Sequence, residues 1–196
     1  HMTSRVAIVH NGIIENCMEL RRNLELDGYA FQSDTDSETF PLLVTRFLES
    51  GLDEISALRE TYKLLEGSFA IAAVFNDRPD QLFAMRRGSP LVLSKTPGGF
   101  TIASDSNALG AGATSACYLE DGDLAIINRD KASILDINGN QVERQMCNID
   151  VSAQDSDKGE YRHYMLKEIH QQPDVFKKTV AHYLNEYKSA ASLPGI

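Results

Sequence analysis

The sequence predicts an α+β fold, and three observations support this. Apolar residues recur at helical spacing in the stretches before Gly67. From Ser68 the period changes to runs rich in β-branched and aromatic residues. Glycine-bearing hairpin signals, Gly98-Gly99 and Asn138-Gly139, join several of those runs, so the strands pair antiparallel. Helices grouped ahead of antiparallel strands make layered helix and sheet rather than alternating β-α units. No internal repeat is visible, and 196 residues suit one domain, or one domain with an appendage.

Taken in order, Val6-Ala7-Ile8-Val9 reads as a buried strand that stops at Asn11-Gly12, a tight-turn signal because glycine takes φ > 0 freely and asparagine tolerates it. Glu15 to Leu26 then has helical spacing through Met18, Leu20, Leu24 and Leu26, and ends near Asp27-Gly28. Tyr29-Ala30-Phe31 is a short strand candidate. Thr35 with Glu38 forms a capping box for a helix carrying Phe40, Leu42, Leu43, Phe47 and Leu48, with Pro41 tolerated in its first turn. A third helix runs from Asp53 to Leu65 and ends at Glu66-Gly67. Phe69 to Phe75 is a buried strand, closed by the turn cluster Asn76-Asp77-Arg78-Pro79-Asp80. Further strands are expected at Gln81 to Met85, Leu91 to Ser94, Phe100 to Ala103, Tyr118-Leu119, Asp123 to Asn128, Ala132 to Asp136 and Gln141 to Gln145. Asp150 to Gly159 is polar, acidic and aperiodic, a linker. Tyr161 to Gln172 reads as a helix stopped by Pro173, and Val175 to Tyr187 as another. The closing residues Leu193 to Ile196 give that last helix nothing to pack on, which reads as a cut inside a longer protein.

Composition narrows the function. A hydrophobic fraction of 42% with 24% charged residues is that of an ordinary globular protein. Nineteen basic against 28 acidic residues give −9, which argues against nucleic acid as a partner. No apolar run reaches the roughly 20 residues that span a bilayer, and no signal-peptide pattern opens the chain, so no membrane and a cytoplasmic setting are expected. Cys17, Cys117 and Cys147 are odd in number and far apart, with neither zinc nor disulfide spacing. His163, His170 and His182 are not clustered with carboxylates, so no metal and no cofactor are expected.

Two stretches carry chemistry. Asn11-Gly12, read alone, is a turn; it also offers an amide side chain and an unhindered backbone N–H, two donors suited to an oxyanion. Asp34 and Asp36 precede a helix whose N-terminus favours anions. Capping accounts for one of them, and the other is free to hold a ligand ammonium by a charge-assisted hydrogen bond. His10 is expected to order the turn rather than to move protons. Arg86 and Arg87 are expected to be structural.

Six segments then occur in a telling order: His10 to Asn16 (HNGIIEN), Ser33 to Glu38 (SDTDSE), Arg87 to Val92 (RGSPLV), Ala103-Ser104-Asp105 with Ala108-Leu109, Glu120 to Asp123 (EDGD), and Lys158 to Met165 (KGEYRHYM) with Lys167-Glu168-Ile169 and Gln172-Pro173. Together they resemble the glucosamine-6-phosphate synthases, the isomerising glutamine–fructose-6-phosphate aminotransferases, over essentially the whole chain. The resemblance implies part of a four-layer α/β/β/α N-terminal-nucleophile fold, that of the class II glutamine amidotransferases. It divides the chain into a glutaminase domain at 1–149, lacking its N-terminal segment, and 150–196 as connector and start of the sugar isomerase region. It makes Asn11 and Gly12 the oxyanion pair, Asp36 the holder of glutamine's α-ammonium, and Gly12 a further substrate contact, leaving Asp34 for the helix cap.

In that family an N-terminal cysteine attacks the glutamine amide, and the ammonia passes to fructose 6-phosphate in a separate isomerase domain. Full-length members are homo-oligomers. This sequence does not begin with cysteine and lacks the family's Arg-Trp-Ala-Thr-His segment and its isomerase half. The three cysteines do not replace the nucleophile: Cys17 lies in a helix, Cys117 borders a strand and Cys147 precedes the linker. The chain as written is therefore expected to be inactive alone, with open sheet edges and exposed apolar faces that favour self-association. Two alternatives stand beside this reading, a class II amidotransferase with another acceptor and a non-catalytic glutaminase-like binding or regulatory module.

Overall fold

The computed structural model describes residues 1–109, 112–113, 115–148, 158–185 and 190–191. They separate into two compact units, His1–Val151 and Ser152–Ile196. In the first unit, strand β1 (Val6–Ile14), helix α1 (Cys17–Leu26), a 3-10 turn (Asp36–Glu38) and helices α2 (Thr39–Glu49) and α3 (Glu54–Leu64) come first. Strands β2 (Gly67–Phe75), β3 (Arg78–Arg87), β4 (Val92–Thr96) and β5 (Gly99–Ala103) follow. A second 3-10 turn (Ser106–Leu109) leads to β6 (Ser115–Tyr118), β7 (Leu124–Ile127), β8 (Ala132–Leu135), β9 (Gln141–Val142) and β10 (Met146–Asn148).

These strands make two antiparallel sheets, one of six in the order β1-β2-β3-β7-β8-β9 and one of four in the order β10-β6-β4-β5. Alternation along the strands sorts their side chains into layers. Val6, Ile8 and Ile14 of β1 and Phe69, Ile71, Ala73 and Phe75 of β2 share a core with Leu24, Phe40, Leu43 and Leu58 of the helices. Phe75 and Phe83 meet edge to face at 5.1 Å in this layer, the favourable aromatic geometry. The opposite face carries Ala70, Ala84 and Ala125, small side chains packed with Leu91, Leu93, Cys117 and Leu119 of the second sheet and the loops beside it. Beyond that sheet, Val92 and Ala116 pack with Leu109 and Ala113. Helix, sheet and sheet are thus stacked, and among the described residues of this unit the far face carries the short 106–109 turn and Ala113 but no helix.

Several expectations are corrected. Asn11-Gly12 is no turn: β1 pairs with β2 without interruption from Val6↔Phe75 to Ile14↔Gly67. Gly12 sits within the strand at φ 129°, so its freedom serves a twisted edge strand instead of a reversal. The chain reverses at Glu15-Asn16, where Asn16 Nδ2 donates to Leu64 O at 2.8 Å and Asn16 Oδ1 accepts from Glu66 N at 3.0 Å. Helix α1 accordingly starts at Cys17. Tyr29-Ala30-Phe31 forms no strand; Tyr29 N instead closes the end of α1 on Leu24 O at 2.9 Å.

The expected capping box does not form. Thr35 makes no side-chain cap, and the Glu38 carboxylate turns back to Gln32 N, Ser33 N and Ser33 Oγ at 2.6–2.8 Å. Arg78, Pro79 and Asp80 belong to β3 rather than to a turn, because the reversal is confined to Asn76-Asp77. Cys117 lies inside β6, and β10 is a strand the sequence did not suggest.

In the second unit, helix α4 (Tyr164–Tyr183) continues through Pro173, and Leu184–Asn185 (β11) pairs with Ala190–Ala191 (β12). Proline removes one hydrogen bond here without breaking the helix. The linker expected at 150–159 lies outside the described residues except Lys158 and Gly159, as does the segment 193–196.

Candidate active site

The site begins with the position of β1 at the edge of the six-stranded sheet. Its odd-numbered residues turn away from the helices. Val9 and Asn11, with His10, line a cavity of ≈ 230 Å³ whose other walls are Ala70, Ile71, Ala72, Leu91, Ile102, Ala103 and Ser104. The cavity therefore lies between the two sheets, with the Asn11 side chain at its edge. Val9 and Ile13 stay 71% and 64% exposed, so this end of the sheet presents an uncovered apolar strip.

Backbone alternation decides which groups face outward. Ile8 N donates to His1 O at 2.8 Å and Ile14 N to Asp36 Oδ2 at 2.8 Å, so both amides turn away from β2. Gly12 lies between them in the same phase and presents its backbone to the open edge. No side chain fits at this position. A Cβ would stand 2.1 Å from Ser68 O and 2.7 Å from Phe69 Cα.

Asp36 sits on the 3-10 turn beside β1, and its bond to Ile14 N ties that turn to the strand. Its Oδ1 lies 3.4 Å from Ser37 Oγ. A second tie runs from His10 Nδ1 to Ser37 Oγ at 2.8 Å. The two ties fall on either side of Gly12. Burial pulls the His10 imidazole below its ordinary value of 6.5, against the opposing pull of Asp36 and with a smaller contribution from the terminal amine. A neutral imidazole results near pH 7.

The structure thus ties the turn of Asp36 to the strand that carries Asn11 and Gly12. Asp34 is not a cap: its side chain is fully exposed, and its ion-pair contact among the described residues is Arg21 Nη1 at 3.8 Å. Its carboxylate gains nothing from the helix because the turn begins two residues later. Ser37 was missed by the sequence reading, which gave it no signal beyond its place next to Asp36. His10 orders the 3-10 turn through Ser37 rather than a turn at Asn11-Gly12.

The arginines are committed elsewhere. Arg86 donates to Leu119 O at 2.8 Å and pairs with Asp121, while Arg87 donates to Leu65 O and Tyr62 O and lies 4.1 Å over the Tyr62 ring. Cys17 packs against the helix-side core, Cys117 is buried between the sheets with burial pushing its thiol up, and Cys147 is exposed on β10. Among the described residues no cluster of three or more His, Cys, Asp or Glu side chains is placed to hold a metal ion, and no helix is long and apolar enough to cross a membrane.

Two facing antiparallel sheets under a helical layer are the class II glutamine amidotransferase fold of the N-terminal-nucleophile type. Solved structures share it: glutamine phosphoribosylpyrophosphate amidotransferase from B. subtilis, complexed with ADP and GMP, at TM-score 0.61 and 24% identity over 69% of this chain and 30% of that one. The allosteric regulatory enzyme of purine biosynthesis matches at TM-score 0.57 and 22% identity, over 69% of this chain and 29% of that one.

The chain belongs to the glutamine amidotransferase domain family, which matches residues 1–111. It is homologous to the N-terminal glutaminase region of the isomerizing glutamine–fructose-6-phosphate aminotransferases. The Mesorhizobium japonicum enzyme is 45% identical over 194 residues, which is 99% of this chain and 32% of that one. The Pseudomonas putida enzyme is 46% identical over 175 residues, 89% of this chain and 29% of that one. The chain thus spans about a third of the length of these curated relatives.

Proposed function

We propose that this chain binds L-glutamine at the β1 edge and is the glutaminase part of an enzyme that delivers ammonia to fructose 6-phosphate. The observation that carries this reading is the bond from Ile14 N to Asp36 Oδ2, which holds an acidic turn beside the strand of Asn11 and Gly12. Glutamine's α-ammonium pairs with Asp36. Its side-chain carbonyl turns toward Asn11 Nδ2 and Gly12 N, which take up the negative charge of the tetrahedral intermediate. Losing one donor of such a pair costs on the order of 10²–10³ in turnover.

The attacking thiol is none of the three cysteines here, because Cys17 and Cys117 pack into the two cores and Cys147 is on β10. The chain therefore binds glutamine without hydrolysing it unaided. The acceptor, fructose 6-phosphate, is taken from the relatives' names, and homo-oligomerisation is proposed for the longer protein.

The experiment is the intact mass of the protein, followed by calorimetric titration with L-glutamine and an ammonia assay. Binding without ammonia release at the mass of 196 residues supports the reading. Absence of glutamine binding overturns it and favours a module that binds something else. Ammonia release at that mass shows that a nucleophile resides in this chain after all.

A further inference from the structure

The His10 imidazole joins two parts of the site, and the placement of one proton decides how. Its Nδ1 lies 2.8 Å from Ser37 Oγ, and that hydroxyl lies 3.4 Å from Asp36 Oδ1. Its Nε2 is buried and has no partner among the described residues. An ionised carboxylate only accepts, so a hydroxyl that serves Asp36 must donate to it. Ser37 has a single proton to give. Its oxygen must then accept from His10, and Nδ1 must carry the hydrogen. A neutral imidazole protonated at Nδ1 has a bare Nε2, the nitrogen for which the fold supplies no acceptor. The other tautomer would bury an N–H with nothing to receive it, the rarer and costlier kind of orphan. Burial favours the neutral ring over the imidazolium.

We infer that His10, in its Nδ1–H tautomer, is a positioning residue for the ammonium of the ligand. It donates to Ser37, Ser37 donates to Asp36 Oδ1, and the Ile14 amide holds Oδ2. The inference rests on Asp36 being the ammonium partner. Both carboxylate oxygens are thereby oriented before a ligand arrives, which lowers the ordering cost of binding. A carboxylate offers about four acceptor positions, so the 3.4 Å contact to Ser37 leaves Oδ1 room for a charged donor.

The test has two arms. Long-range ¹H–¹⁵N spectra of the labelled protein at neutral pH report which ring nitrogen of His10 is protonated, with H10N identifying its signals by their loss. Calorimetry with L-glutamine is run on the wild type, S37A, H10F and H10N, whose carboxamide keeps a donor at the Nδ1 position. The expected result is Nδ1–H in the wild type, binding weakened about tenfold in S37A and H10F, and binding by H10N within about threefold of wild type. An Nε2–H tautomer or an imidazolium at neutral pH overturns the inference, and so does S37A binding glutamine as the wild type does. Failure of the wild type to bind glutamine rejects Asp36 as the ammonium partner, and the positioning role falls with it.

Discussion

The Asp36 carboxylate accepts the Ile14 amide at 2.8 Å, which fixes the acidic turn to the strand that carries Asn11 and Gly12. Oδ2 serves that bond, Oδ1 accepts from Ser37 Oγ at 3.4 Å and is the oxygen proposed to meet the ligand ammonium, and two substitutions separate the structural from the proposed binding role. Asp36→Asn keeps an acceptor for Ile14 N and loses the charge. Its glutamine affinity should fall by about 10–100-fold with little change in melting temperature. Asp36→Ala should lose the same affinity and about 1 kcal/mol of stability besides. Calorimetry and thermal melts of the two variants check this. An Asp36→Asn protein that binds glutamine normally removes the ammonium role.

Gly12 should tolerate no side chain. At φ 129° an L-residue is strained, and a Cβ would meet the Ser68 carbonyl at 2.1 Å. Gly12→Ala should cost about 1–3 kcal/mol from the backbone conformation, with further loss from the clash, since β1 must move off β2 to relieve it. For a chain of this length each 1 kcal/mol lowers the melting temperature by roughly 2–4 °C. Scanning calorimetry reads the shift directly, and an unchanged melting temperature would mean that β1 is not held to β2 in the register described.

The layered α+β plan was legible in the sequence because the apolar periods of α2, α3, β2 and β7 are strong and local. What was misread shares one physical cause, that several local signals have two meanings. Asn11-Gly12 signals a turn, yet the same glycine freedom serves a twisted edge strand with an unbroken ladder to β2. Thr35 and Glu38 have capping-box spacing, but the Glu38 carboxylate finds two amides and a hydroxyl in the preceding loop. Strand β10 is short and exposed, and it exists through its pairing with β6, a distant partner that no window of sequence reveals. At the candidate site, Asn11 and Gly12 stood out as donors and Asp34 with Asp36 as a pair of carboxylates, the choice of Asp36 came from the resemblance, and Ser37 gains its partner only once the fold sets it against His10.

Glu38 should make stability acid-sensitive. It is 7% exposed, and burial alone would raise its carboxyl. The Ser33 hydroxyl and the Gln32 and Ser33 amides outweigh burial, and Arg21 adds to them, so the group is held below its ordinary value of 4.5. A depressed folded-state pKa means that the contribution is complete above the unfolded value and is lost as pH falls through the folded one. Unfolding free energy should therefore decline as pH drops below about 4.5, and Glu38→Gln should flatten that part of the profile. Denaturant titrations between pH 3 and 7, values chosen to bracket roughly the carboxylate range, decide it. Parallel profiles for the two proteins would exclude Glu38 as a source of the acid sensitivity.

Arg144 and Asp123 should behave as a unit. Asp123 is 1% exposed at its side chain and accepts Arg144 Nε at 2.8 Å, Arg144 Nη2 at 2.7 Å and the Glu120 amide at 2.8 Å. Arg144 lies between β9 and β10, so this bidentate pair joins the end of one sheet to the start of a strand in the other. Arg144→Met leaves a buried carboxylate without its cation, and removing one partner of such a pair costs about 3–5 kcal/mol. Asp123→Leu combined with Arg144→Met removes both charges; the Glu120 amide must find a new acceptor and the exposed Glu120 carboxylate loses Arg144 Nη1 at 3.0 Å, and the pair of changes should still recover a large part of that loss. A double-mutant cycle in urea is the measurement. Additive losses would show that the two side chains act independently, and that the tie between the sheets lies in their backbone packing instead.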